Sequence, residues 1–346
     1  MNIDRITLLR FPLICLIILI HAFSIITENV SDESIFYTIS FVVSQLLARS
    51  AVPLFFIFSG FLFFWGVDFS KTVYISKIKK RVRSVLVPYL FWNLLLLLMV
   101  NVVVYMAPYF NVELSKNILN YQDLTQLPYF IFLDRYPIAY HFWFIRDLII
   151  LMVFSPLIYI MLKLKLVSKI IILLLFLIWI FNFNFVAIPD VKAVLFYMFG
   201  AYLAINNVGI FRVDKHVKQI SAIYLVSIIL FILFVHTSNF LQFTANIIIT
   251  LGCVSLFVTA KYIKLHERLN GCLLNISKYS FFVFCIHEPM LTAVKKINVH
   301  LLSGREDYLL FISFFLVALI VVITSVSLAK FLERYFPRFY SALSGN

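Results

Sequence analysis

Charged residues are scarce in this chain. They make up 13% of its 346 residues, about half the share of an ordinary soluble domain. Hydrophobic residues account for 63%, with 39 Phe and 18 Tyr, and the mean hydropathy is +1.01. So little polar surface excludes a soluble globular domain, and the composition predicts an all-α polytopic membrane protein.

The chain also lacks other features that would point elsewhere. Its four cysteines show no paired or metal-like spacing, so we expect buried free thiols, no metal and no tightly bound cofactor. No small-residue cleavage site follows the first apolar stretch, so we expect that stretch to stay in the protein. No internal repeat or soluble appendage is present, which predicts one membrane domain over 1–340 and a short tail over 341–346. The cysteines are Cys15, Cys253, Cys272 and Cys285.

Long apolar runs predict about ten membrane-spanning helices. The second run contains Pro53, which predicts a kink or short break there. Pro289 predicts a break in the ninth. The predicted spans are 8–26, 36–65, 85–106, 141–162, 168–187, 191–207, 218–236, 240–260, 277–298 and 307–331.

The net charge of +13 is carried by short basic clusters between these spans. Such clusters indicate orientation, because lysine and arginine concentrate in cytoplasmic loops; they do not indicate a nucleic-acid partner. The basic connections alternate with acidic ones such as 27–34 and 107–140. This alternation predicts that both termini face the cytoplasm.

Arg10 and His21 lie on one face of the first span. Eleven helical positions bring two side chains within about 20° of each other around the axis and separate them by ~16 Å along it. Ionisable side chains inside a membrane helix are costly to desolvate and are usually functional. This pair is therefore the first candidate for chemistry.

Other polar residues are candidates for substrate binding. Arg49 is predicted near the bilayer midplane, with Ser59 further along the same span. Arg81 and Arg83 precede the third span; they either anchor its topology or bind an anion such as phosphate, to which arginine is well suited.

Two further segments contain histidine. His141 and Trp143 open the fourth span, where they either belong to an interfacial aromatic belt or bind substrate, and the adjacent Arg146–Asp147 is expected to be a local ion pair. His287 and Glu288 are predicted near mid-depth in the ninth span. An ionisable pair at that depth is hard to explain by packing alone.

Together these segments resemble the acyltransferase-3 superfamily of integral membrane acyltransferases. The Arg10–His21 spacing is similar to the family's first-helix signature, and RSAVPLFFIFSGF from Arg49 to its second-helix motif. Arg81 and Arg83 with Pro88, HFWFI from His141, and Ser280 to His287 resemble three later motifs. Thr7 and Phe284 stand where the family often has Asp and Tyr.

The resemblance implies transfer of an acyl group, most often acetyl from acetyl-CoA, to a hydroxyl of a surface glycan or its lipid-linked precursor in a bacterial plasma membrane. His21 would then remove the hydroxyl proton, with Arg10, His287 and Glu288 as further catalytic residues. Arg81 and Arg83 would bind the phosphates of the donor, and Arg49 would stabilise the oxyanion. Ser59, His141 and Trp143 would contribute to substrate binding.

Other interpretations remain open. A transporter or flippase of a lipid-linked saccharide would also place Arg49, His287 and Glu288 along a pathway, but it predicts pseudo-symmetric halves that the sequence does not clearly show. A sensory membrane domain is a third possibility. The sequence does not distinguish direct transfer from an acyl-histidine or acyl-cysteine intermediate, although Cys15 lies about 120° around the first helix from His21, which disfavours the cysteine.

Overall fold

The computed structural model describes residues 4–106, 109, 129–134, 136–183, 188–234, 241–302 and 306–345, and no strand occurs among them. The α-helices are numbered in chain order. They are α1 Asp4–Ala22, α2 Ser24–Thr27, α3 Ile35–Phe41, α4 Ala51–Phe64, α5 Lys71–Arg81, α6 Val87–Met106, α7 Trp143–Val153, α8 Ser155–Lys163, α9 Lys165–Ile180, α10 Val191–Ile205, α11 Val217–Phe234, α12 Leu241–Leu265, α13 Glu267–Ser277, α14 Ser280–Leu302, α15 Asp307–Tyr335 and α16 Pro337–Ser344.

Six helical stretches in the described residues are individually long and apolar enough to cross a membrane, and up to eight spans result if each of two bent helix pairs counts as one. The bent pairs are Tyr140–Val153 with Ser155–Lys163, at 65°, and Glu267–Ser277 with Ser280–Asn298, at 69°. The multi-pass helical architecture is confirmed. The orientation of the termini stays a prediction. So does the count of ten spans, which also requires 168–187 and 191–207 to cross the membrane.

Helix α1 lies at the centre of the bundle. It packs against α4, α12, α13, α14 and α15, and buried residues occur around its whole circumference. A helix that is apolar all round is expected in the core of a bundle. The fold therefore places His21 largely inside the bundle, whereas Arg10 on the same helix is exposed.

The second span changes its helical form just before Pro53. A π-helix over Val42–Leu47 and a 3₁₀ turn over Ala48–Ser50 separate α3 from α4. Proline cannot donate an intrahelical hydrogen bond and crowds the preceding turn, which explains why the irregular stretch lies there. The predicted kink or short break takes the form of a change of helical type within one continuous span, and this stretch carries Arg49.

Helices α4 and α10 pack with their backbones in close contact. A Cβ atom on Gly60 would lie 2.1 Å from the carbonyl oxygen of Tyr197, and one on Gly200 would lie 2.0 Å from that of Ile57. Small residues permit this close approach in membrane helix pairs. The contact fixes the position of Ser59, which neighbours Gly60.

The expected break at Pro289 is wrong, because α14 runs without interruption from Ser280 to Leu302. Pro289 still leaves one carbonyl, that of Cys285 four residues earlier, without its intrahelical donor. A side chain from another helix takes this acceptor, as described below. The bend lies earlier, between α13 and α14.

The C-terminal helix α16 extends through the segment predicted as a tail. Tyr340 and Leu343 are buried, and the indole of Trp92 donates to the carbonyl of Leu343 across 3.2 Å. This contact ties α16 to α6.

Candidate active site

The polar residues predicted in different spans form a cluster around His21. Its Nδ1 lies 3.0 Å from the hydroxyl of Tyr140 and 3.5 Å from Oε2 of Glu288. The rings of His21 and His287 are 5.3 Å apart between centroids. The His21 side chain is 19% exposed and that of Glu288 9%, so a small molecule has more access to the imidazole than to the carboxylate.

His287 is held in a defined tautomer by its own helix. Its Nδ1 lies 2.6 Å from the carbonyl oxygen of Phe284. Because a carbonyl only accepts, Nδ1 carries the proton and Nε2 keeps its lone pair. That Nε2 is buried and has no hydrogen-bond partner among the described residues.

His141 extends the cluster into a row of three imidazoles. Its ring centroid lies 5.1 Å from that of His287. Its Nε2 lies 3.4 Å from the carbonyl oxygen of Cys285, the acceptor that Pro289 leaves without an intrahelical donor. The proline therefore helps to position a histidine that is distant in sequence.

Two cations lie beside this cluster. Lys295 donates to the hydroxyl of Ser24 across 3.0 Å and to the carbonyl of His21 across 3.4 Å. Arg49 is close enough to interact electrostatically with His21. Positive charge next to a candidate base can stabilise an oxyanion formed there.

Tyr140 and Lys295 were missed by the sequence analysis, although signals for both were present. Tyr140 directly precedes His141. Lys295 follows Glu288 by seven positions, or two helical turns, so both lie on one face of α14.

A second polar site surrounds Arg10. A cavity of about 100 Å³ is lined by Arg10, Ser59 and Arg81 together with apolar side chains. Within the described part of the chain neither guanidinium has an ion-pair partner, and the two repel each other electrostatically. Two facing guanidiniums without a carboxylate are suited to binding an anion such as phosphate.

Two predicted binding residues lie elsewhere. Arg83 is exposed in the π-helix Val82–Leu86 and does not line the Arg10 cavity. Trp143 packs on Phe56, and Lys192 Nζ lies 4.4 Å from the centre of its ring. That Arg83 and Trp143 contact the substrate stays a prediction.

Among the described residues, one ligand atom each from His21, His287 and Glu288 lie within 4.8 Å of one another, the one group that a metal ion could bridge. Tetrahedral zinc brings nitrogen and oxygen ligands to about 3.3 Å from each other, and the separation between His21 Nδ1 and Glu288 Oε2 is 3.5 Å. Because the hydroxyl of Tyr140 also contacts His21, the same side chains are arranged for proton transfer between imidazole, carboxylate and phenol.

The two polar sites occupy opposite ends of one stretch of α1. Arg10 and His21 are eleven positions apart, so ~16 Å of helix separates them. One site has the composition of an anion site. The other has the composition of an acid–base site.

Comparison with known proteins identifies the family of the chain. The family model described as an acyltransferase domain, that of acyltransferase family 3, matches residues 3–330. No curated protein and no solved structure gives a significant match. The match covers both polar sites and all the helices that form them, and the chain belongs to the acyltransferase-3 family of multi-pass membrane proteins.

Proposed function

We propose that the protein transfers an acyl group from acyl-CoA to a hydroxyl of a surface glycan or its lipid-linked precursor in a bacterial plasma membrane, acetyl-CoA being the expected donor. The observation that carries this proposal is the pairing on α1 of an anion site at Arg10 with a histidine–carboxylate site at His21. An acyl-CoA has the matching polarity, with phosphates at one end and a reactive thioester at the other.

The donor phosphates bind between Arg10 and Arg81. Guanidinium–phosphate hydrogen bonds are charge-assisted, and repulsion between two facing guanidiniums is relieved when a phosphate enters. Ser59 offers a hydroxyl to the same cavity. The pantetheine arm then extends along α1 towards His21.

His21 acts as the general base. In the reactive tautomer Nδ1–H faces Glu288 and Tyr140, and Nε2 takes the proton from the acceptor hydroxyl. The hydroxyl oxygen forms a bond to the thioester carbonyl carbon to give a tetrahedral intermediate, and the carbon–sulfur bond breaks when this intermediate collapses. The proton on His21 then passes to the departing CoA thiolate. His21 is better suited to this role than His287, because the His287 side chain is fully buried.

Positive charge stabilises the tetrahedral intermediate. Arg49 and Lys295 are both near enough to His21 for an electrostatic interaction. Removing a single oxyanion donor from an enzyme typically lowers the rate by about 100- to 1000-fold. Glu288 and Tyr140 orient the base, and His287 with His141 completes the packing around it.

The test is label transfer in membranes from cells with and without the protein. Radiolabelled acetyl-CoA is supplied, and the surface glycan is analysed by mass spectrometry for the added acyl mass. We expect the label in the glycan only when the protein is present, and its loss in His21→Gln. Glycan that crosses the membrane without acylation would contradict the proposal and support the flippase interpretation.

A further inference from the structure

A second cavity, separate from the Arg10 cavity, adjoins the histidine row through His141. It has a volume of about 450 Å³ between α6, α14, α15 and α16, within the usual range for small-molecule sites. Its lining is aliphatic, aromatic and sulfur-containing apart from one imidazole, and the cavity is bordered by exposed residues such as Met99 and Phe339. Representative lining residues are Leu95, Met99, Ala293, Leu328 and Phe339, and the imidazole is His141.

The cavity ends at the candidate active site. His141 lines it and also forms the last member of the imidazole row, 5.1 Å from His287 between centroids. Cys285 and Pro289 line it too, and these two residues flank His287 and Glu288 in the sequence. One stretch of α14 therefore serves as the wall of the cavity and as the support of the catalytic cluster.

The lining determines which part of a substrate can enter. A saccharide needs hydrogen-bond partners for each buried hydroxyl, and the nucleotide of CoA needs cations for its phosphates. Neither is available in an apolar lining with one histidine. A hydrocarbon chain needs neither, and its burial here is favourable.

We infer that this cavity binds the hydrocarbon chain of the transferred acyl group, and that the protein, which also accepts acetyl-CoA, prefers donors with longer acyl chains in place of the acetyl-CoA expected above. The inference rests on the proposed function and specifies its donor. The thioester carbonyl lies at the imidazole row, the chain extends into the cavity, and the CoA phosphates remain at Arg10. The reaction is the same transfer, with the ester bond formed and the carbon–sulfur bond broken as above.

The expected size of the effect follows from hydrocarbon burial. Each methylene that enters the cavity should increase kcat/KM by about fourfold, until the cavity is filled. For acyl-CoA donors of two, four, six and eight carbons, kcat/KM should therefore rise with chain length at that rate and then reach a plateau. A site made only for acetyl would instead show a fall after two carbons.

The test measures this chain-length profile in membranes for the wild type, Ala293→Phe and Ala222→Phe. Both alanines are exposed, but Ala293 lines the cavity, whereas Ala222 lies on α11 and does not. We expect Ala293→Phe to abolish the preference for long chains while acetyl transfer changes by less than about twofold, and Ala222→Phe to behave like the wild type. Leu328→Trp fills the cavity from the opposite wall and serves as a second variant.

Three outcomes would overturn the inference. A wild-type preference for acetyl would do so while leaving the proposed function intact. An equal loss of activity with every donor in Ala293→Phe and Leu328→Trp would show that the cavity holds a bilayer lipid. Absence of transfer from every donor tested would overturn both the inference and the proposed function. This result is distinct from a wild-type preference for acetyl, which overturns the inference alone.

Discussion

Two arginines of α1, only five positions apart, have opposite environments. Arg5 donates two hydrogen bonds to the carboxylate of Asp214, at 2.7 and 2.8 Å, and its guanidinium lies over the rings of Phe211 and Phe257. Arg10 lines a cavity opposite Arg81 and has no carboxylate partner among the described residues. An arginine that is paired with other groups of the protein stabilises the fold. An arginine without such a partner is available to bind a ligand.

The same contrast recurs in the fourth span. Arg146 is buried and donates to Asp147 across 2.9 Å, and Asp147 also accepts from the backbone of Asp190 across 2.8 Å. This pair links α7 to the start of α10. By contrast His141, five positions earlier, has an Nδ1 without a partner in the described residues.

The largest effect should come from His21, the most accessible of the three histidines in the row. His21→Gln should lower kcat for acyl transfer by about 100- to 10,000-fold, the usual contribution of a general base. His300→Gln is the matched control, because His300 is exposed near the end of α14. Rates in membranes normalised to the amount of folded protein provide the measurement. A fully active His21→Gln would contradict the assignment.

The next largest effect should distinguish the two arginines of α1 by kinetics. Arg10→Gln should raise the KM for acyl-CoA by about 10- to 100-fold, the equivalent of one hydrogen bond to a charged group, with little change in thermal stability. Titration of acyl-CoA in membranes measures this change. An unaltered KM would mean that the Arg10 cavity does not bind the donor.

Arg5→Gln should show the reverse pattern. Loss of its bidentate bond leaves the carboxylate of Asp214 without its partner, and we expect the free energy of unfolding to fall by about 2–3 kcal/mol. Activity per folded molecule should stay within about twofold of the wild type. Thermal unfolding in detergent, compared with Asp214→Asn, measures the loss. A raised KM for acyl-CoA in Arg5→Gln would remove the distinction between the two arginines.

The smallest effects should come from Arg83. The structure leaves this residue outside the cavity that Arg81 lines, so Arg83→Gln should change the KM for acyl-CoA by less than about twofold. Arg81→Gln, two positions away, should raise it by about tenfold. If both substitutions raised the KM for acyl-CoA by about tenfold, both arginines would bind the donor.

The sequence predicts much of the fold because membrane helices have a strong compositional signal. Residues 8–26 and 307–331 are recognisable from apolar length alone. The bend between α13 and α14 is harder to predict, since Pro289 suggests a break that the helix does not have. Proline removes one donor but does not force a break when another group, here His141, bonds to the freed carbonyl.

Most residues of the site could be predicted individually from the sequence, but their arrangement in space could not. Arg10, His21 and His287 stand out because ionisable residues are rare in apolar spans. Whether Arg81 or Arg83 faces Arg10 depends on the π-helix between α5 and α6, whose wider turn alters which side chains share a face. The position of Tyr140 next to His141 was a signal for the residue, but its contact with His21 depends on tertiary packing that no local pattern specifies.

The central claim is that Arg10 binds the donor and His21 carries out the chemistry. Calorimetric titration of CoA into the solubilised protein tests it most directly, because CoA has the phosphates but no acyl group to transfer. We predict that His21→Gln binds CoA as the wild type does and that Arg10→Gln binds it at least tenfold more weakly. Wild-type affinity in Arg10→Gln, or lost binding in His21→Gln, would contradict the account.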